Sequence, residues 1–216
     1  MGDYTEVTGM ILSALPVGEF DRRVVILTKE RGKISAFAKG ARKPNSALTG
    51  VTRPFVFGKF QVYEGRTSYT IKQADISNFF EDIITDLDCV YYGCYFAELT
   101  DYYSREGLDA SDMINLLYMS LKALVNPHIP NRLVRYIYEI RLVFINGECP
   151  DFFDESWSRI NPSTLHALQV IVTSPVEKLY TFLLSDECMR ELGGIAADVV
   201  HKAVDKYIKS EEMLVE

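Results

Sequence analysis

Apolar side chains along the first 80 residues fall in short runs rich in Val, Ile, Phe and Tyr, broken by Gly, Pro and charged turns. That pattern predicts a small antiparallel sheet. Five strands are expected, at Val7 to Leu15, Arg23 to Thr28, Lys33 to Lys39, Phe55 to Tyr63 and Ser68 to Ala74. The Lys29-Glu30-Arg31-Gly32 and Glu64-Gly65-Arg66 segments supply the turns between them. Five short strands in so few residues fit an OB-type barrel better than a sandwich, which usually needs about seven.

After Ile76 the apolar spacing lengthens to that of helices. One helix is expected over 81–105, with Ile83, Leu87, Val90, Cys94, Ala97 and Asp101 along one side. A second follows Asp109 as N-cap and stops at Asn126-Pro127, and a third runs from Pro130-Asn131 to Gly147. Residues 148–160, with the single Trp157, read as an acidic aromatic loop. Asn161-Pro162 opens a further helix, and helical segments are expected from Pro175 to Leu184 and from Asp186 to Ile208, with Gly193-Gly194 as a candidate break. The fold class is therefore α+β, a five-stranded OB-fold barrel over 1–80 followed by an all-α domain over 81–216.

Charge divides the chain at the same place. Residues 1–80 hold 12 Lys plus Arg against 7 Asp plus Glu, whereas 81–216 hold 11 against 23, within a net charge of −7. The two halves suit different partners, the basic one nucleic acid and the acidic one protein. No run approaches the roughly 20 uncharged apolar residues of a membrane span, and Asp3 and Glu6 stand where a secretory signal carries cations. A soluble, cytoplasmic protein is expected.

The most informative segment is 32–44. In an extended strand Lys33, Ser35, Phe37 and Lys39 share one face, while Ile34, Ala36 and Ala38 share the other. A cationic face carrying an aromatic ring holds single-stranded nucleic acid by neutralising phosphate and stacking on a base. Gly40 lets a backbone approach, Arg42 and Lys43 continue the charge into a loop, and Arg22, Arg23 and Arg53 widen the patch. The competing reading is a solvated basic strand with Phe37 in the core.

Gly9-Met10-Ile11-Leu12, Gly18-Glu19-Phe20-Asp21, Thr28 to Ile34, Ala38-Lys39-Gly40-Ala41-Arg42-Lys43, Ser46 and Pro54-Phe55, in that order, resemble the N-terminal half of the RecO family of recombination mediators. The likeness continues through Arg135-Tyr136-Ile137-Tyr138-Glu139-Ile140-Arg141-Leu142 to Gly147. This resemblance implies an OB fold and a helical domain, binding of single- and double-stranded DNA, strand annealing and help in loading recombinase. It also implies two partners, RecR and the acidic C-terminal tail of single-strand-binding protein. Phosphate contact would carry onto Lys33, Lys39, Arg42 and Lys43. Many RecO-like proteins bear two Cys-x-x-Cys pairs of a zinc module after the segment matching Gly147, whereas Cys149 here stands alone. No metal and no cofactor is therefore expected.

An acidic peptide with an apolar end needs a hydrophobic groove edged by cations. Arg132, Arg135 and Arg141, among Leu133, Tyr136 and Tyr138, are candidates for it, with structural ion pairing as the competing reading. Nothing in the sequence points to an enzyme. The glycine a phosphate loop needs five places before Gly32 is Leu27, and His128, His166 and His201 lie in separate segments without catalytic spacing. Paired carboxylates such as Glu81-Asp82 suit helix N-termini. Two other readings stay open, a protein–protein adaptor and an RNA-binding OB module.

Overall fold

A computed structural model describes residues 4–214; Asp3, used above in reading the N-terminus, lies outside the described residues. The chain divides into two compact units, one of 1–85 with 97–114 and the other of 86–96 with 115–216.

The first unit is a closed five-stranded barrel in the order β1-β2-β3-β5-β4, as the alternation predicts. Its strands are β1 (Tyr4–Val17), β2 (Asp21–Thr28), β3 (Gly32–Ala38), β4 (Phe57–Glu64) and β5 (Tyr69–Asn78). All neighbours run antiparallel except β3 and β5. Closure depends on the length of β1, whose first half pairs with β4 and second half with β2. A bulge between Ile11 and Ser13 bends the strand from one partner to the other. Gly9 and Gly58 pair across β1 and β4, where an added Cβ would stand 2.4 Å from the Leu27 carbonyl oxygen and 2.3 Å from that of Asp75. Inward side chains, among them Val7, Ile11, Val24, Ile26, Ile34, Phe60, Val62 and Ile71, fill the barrel.

β4 starts two residues later than expected because Phe55 takes a left-handed backbone, with φ of 70°. Its N–H donates to the Ile11 carbonyl at 2.8 Å, tying the chain to the β1 bulge before the strand begins. A single helical turn, α1 (Leu48–Val51), precedes it; the sequence reading gave no helix there.

The expected helix over 81–105 is two helices, α2 (Glu81–Thr85) and α3 (Leu87–Tyr103). Asp86 interrupts them and accepts the Cys89 N–H at 3.1 Å, so the chain restarts with a new phase. The apolar face shifts accordingly. Leu87 is exposed, and Cys89, Tyr92, Phe96 and Leu99 are buried instead. From Ala97, within α3, the chain returns to the barrel unit, where the Lys33 N–H donates to the Arg105 carbonyl and the Gly107 N–H to that of Arg31.

The second unit packs around α5 (Asn131–Ile145), with α6 (Pro162–Thr173), α7 (Asp186–Ala203) and part of α4 (Ser111–Leu124). Within it Phe96 and Tyr138 stack at 4.1 Å, and the Tyr138 hydroxyl donates to the Phe96 carbonyl. Asn161 caps α6 with Pro162 at its start, as the sequence predicts. The expected helix from Pro175 to Leu184 is only a 3-10 turn, Val176–Lys178. Leu179 is drawn into the core and the Tyr180 hydroxyl meets Ser120, so the chain straightens until Ser185 caps α7. Gly193-Gly194 does not break α7: a Cβ at Gly193 would stand 2.7 Å from the Tyr136 ring, so the glycine permits close helix packing. The helix ends at Ala203 rather than Ile208, whose side chain is buried in the segment that follows.

Candidate nucleic-acid interface

The strand at the centre of the sequence reading alternates as its residue types require. Ile34, Ala36 and Ala38 are fully buried, and Lys33, Ser35 and Phe37 point outward. Phe37 lies half-buried on the outer face rather than in the core. Directly opposite it on β2 stands Arg23, whose Nε donates to the Ser35 hydroxyl at 2.8 Å.

Past β3 the loop carrying Lys39, Arg42 and Lys43 locks onto the β1–β2 turn. Gly40, at φ of 69°, donates its N–H to the Asp21 carboxylate at 2.7 Å. The Arg42 N–H donates to the Phe20 carbonyl at 2.8 Å, and its guanidinium to that of Gly18 at 3.2 Å. Lys43 lies 5.4 Å from the Phe20 ring centroid. Lys39, Arg42, Lys43 and Phe20 are all exposed. This arrangement offers fixed cations beside aromatic faces, the chemistry that holds a phosphate chain and its bases. Phe20 was absent from the sequence-derived set; only the contact between two turns brings it in.

Other predicted cations are engaged with protein groups. The Lys33 ammonium pairs with Asp101 at 3.0 Å and donates to that residue's backbone carbonyl at 2.6 Å. Arg22 donates to the Thr49 carbonyl and the Thr52 hydroxyl, anchoring α1. Arg53 donates to the Gly50 carbonyl and stands 3.9 Å from Glu81. Among the described residues no three His, Cys, Asp or Glu side chains gather in a geometry that could hold a metal ion.

In the helical unit the three predicted arginines do not act together. Arg135 donates to Glu139 at 2.7 Å and to Glu211 at 2.9 Å, and lies over the Tyr95 ring. The Tyr95 hydroxyl donates to the same Glu139 oxygen at 2.6 Å. Burial pushes the Glu139 carboxyl upward, opposed by the Arg135 guanidinium and the hydrogen bonds it accepts. Arg141 donates to the Ile171 and Val172 carbonyls, satisfying the C-terminal turn of α6. Arg132 alone is exposed, beside a cavity of about 440 Å³ lined by Tyr91, Tyr92, Pro130, Met213 and Leu214.

Two family profiles cover nearly the whole chain: Recombination protein O N terminal matches residues 1–80, and Recombination protein O C terminal matches 84–212. The chain belongs to the RecO family. A DNA repair protein RecO from Acetivibrio thermocellus is 27% identical over 94% of this chain and 93% of its own length. Others with that name, from Alkaliphilus metalliredigens and Bacillus subtilis, are 32% and 31% identical over 66% and 68% of this chain and 58% and 57% of their own lengths. As a RecO-family member it is a DNA repair protein of the recombination class, and the barrel followed by helices is the architecture that its two profiles divide. Among the described residues, no helix is long and apolar enough to cross a membrane.

Proposed function

We propose that this protein is a non-enzymatic recombination mediator that binds single- and double-stranded DNA, anneals complementary strands and helps load recombinase onto DNA coated with single-strand-binding protein. The observation that carries this reading is the interlocked pair of turns holding Lys39, Arg42 and Lys43 exposed beside Phe20. Together with Arg23 and Phe37 they form the phosphate- and base-contacting surface. Lys33 and Arg53, each beside a carboxylate, and Arg22, tied to α1, frame that surface rather than contact DNA. No reacting group is needed for annealing. Complementary strands pair spontaneously once their mutual repulsion is lowered. Chromosomal DNA as ligand would keep the protein in the cytoplasm, on the nucleoid.

Of the two expected partners, the acidic tail of single-strand-binding protein is assigned to the Arg132 cavity, where that cation and the Tyr91, Tyr92, Pro130, Met213 and Leu214 side chains would have to outweigh Asp88 in the same lining. RecR is proposed on family membership alone.

The test is a Lys39→Glu, Arg42→Glu double variant in a DNA-binding titration. Loss of at least about tenfold in affinity is expected, since opposite charges replace two phosphate contacts, with an unchanged circular dichroism spectrum. Native-like affinity in a folded double variant would remove this surface from consideration. The same titration with matched RNA separates a DNA mediator from an RNA-binding module.

A further inference from the structure

Resting on the reading that the barrel binds nucleic acid at its basic face, we infer that a single strand continues from that face around the barrel, along a register-aligned path that ends on Tyr63 and Tyr4. The path follows from the pairing. Arg23 on β2 stands opposite Phe37 on β3, Phe37 beside Thr70 on β5, Thr70 opposite Tyr63 on β4, and Tyr63 opposite Tyr4 on β1. Arg23, Phe37, Thr70 and Tyr63 point outward, because their strand neighbours Val24, Ala36, Ala38, Ile71 and Val62 are buried in the barrel, and Tyr4, opposite Tyr63, is exposed. Because the barrel is closed, with β1 paired to β2 as well as to β4, these four steps wind around it rather than cross one face.

The two tyrosines have the features of a stacking platform rather than of a covered sheet surface. Tyr4 is 48% and Tyr63 42% exposed, and their rings meet edge to face at 6.2 Å. The β4–β5 ladder shifts register between Gln61 and Val62, an irregularity that leaves Lys72 unpaired in the ladder and re-aims its side chain. Its ammonium lies 4.3 Å from the Tyr4 ring centroid, placing a cation where a phosphate would follow a stacked base. Two carboxylates bordering the path are paired, Glu64 with Arg31 at 2.7 Å and Glu6 with Lys59 at 2.9 Å. Exposed rings need bases with open faces. A duplex hides those faces in its own stack, so this part of the surface selects single strands.

The test is a Tyr4→Leu, Tyr63→Leu double variant, which keeps apolar bulk at the paired positions, titrated by fluorescence anisotropy against a labelled oligothymidylate and against a duplex. Single-strand affinity is expected to fall about tenfold or more, with duplex affinity and the salt slope unchanged. Equal weakening of both ligands, or no weakening of either, overturns the path. The Lys39→Glu, Arg42→Glu variant runs alongside. If it loses both ligands while the tyrosine variant binds as native, only the path fails; if it too binds as native, the basic face fails and the path with it. Should the tyrosine variant not fold, photocrosslinking of the native protein to iododeoxyuridine oligonucleotides decides: adducts on Tyr63 or Tyr4 support the path, and adducts confined to other residues overturn it.

Discussion

Gly32 shows how one residue can fix the approach of a distant segment. It closes the turn into β3 at φ of 63°, where the Thr28 hydroxyl donates to its carbonyl at 2.8 Å. An added Cβ would stand 2.1 Å from the Arg105 carbonyl oxygen and 2.5 Å from that of Leu108. Gly32→Ala therefore combines a left-handed alanine with a backbone clash, and a loss of about 3 kcal/mol is expected in urea denaturation. A change under about 0.5 kcal/mol, ordinary for a surface site, would show that this close approach does not stabilise the fold. Cysteine chemistry is also set residue by residue. Burial pushes the Cys89 and Cys149 thiols up to about 11. Below the ordinary thiol range both states keep the proton. Above it the unfolded chain ionises first, so this contribution to stability falls as pH rises toward 11. At pH 8 roughly one thiol in a thousand at these positions would be thiolate. Alkylation by iodoacetamide should then be far slower than that of free cysteine and should accelerate toward pH 11; rapid labelling of Cys89 and Cys149 at pH 8 in the folded protein would contradict this.

Helix α5 joins its unit through charge as well as apolar packing. Glu139 is 1% exposed and is approached by Arg135 and the Tyr95 hydroxyl, while its second oxygen lacks a protein partner. Removing the carboxylate strands the Arg135 guanidinium with only the half-exposed Glu211. Glu139→Ala is thus expected to destabilise by about 3 kcal/mol, and Tyr95→Phe by about 1 kcal/mol. Denaturant midpoints measure both, and equal, small effects would show that the network contributes little. Elements are also where the sequence was most legible. Short apolar runs between turn residues placed all five strands, and in β3 strict alternation fixed the register as well, since one slipped residue would have turned Ile34, Ala36 and Ala38 out to water. The phase of α3 was not legible, because a single Asp86 cap resets it. Nor was the fate of Pro175 to Leu184, where burial of Leu179 overrides helical spacing. At the candidate site, residues of one strand could be read from their period, whereas Phe20, Tyr63 and Tyr4 enter only through pairing between strands distant in sequence. The arginines of α5 shared the right composition for a partner groove, yet two are used on Glu139 and the α6 terminus.

Across the whole molecule, a net charge of −7 coexists with a proposed polyanion surface, and salt dependence is where that tension becomes measurable. Exposed charges farther from a phosphate than about 8–10 Å are largely screened at physiological ionic strength, so affinity there reflects the local cluster. With Arg23, Lys39, Arg42 and Lys43 contacting either ligand and Lys72 a single strand as well, log affinity should fall against log salt with a slope of about −4 for duplex and about −3.5 for single strands. Arg42→Ala should reduce the magnitude of the slope by about 1. Arg135→Ala should leave it unchanged, its guanidinium already being paired with Glu139 and Glu211. A titration flat throughout would mean that phosphate charge does not drive association.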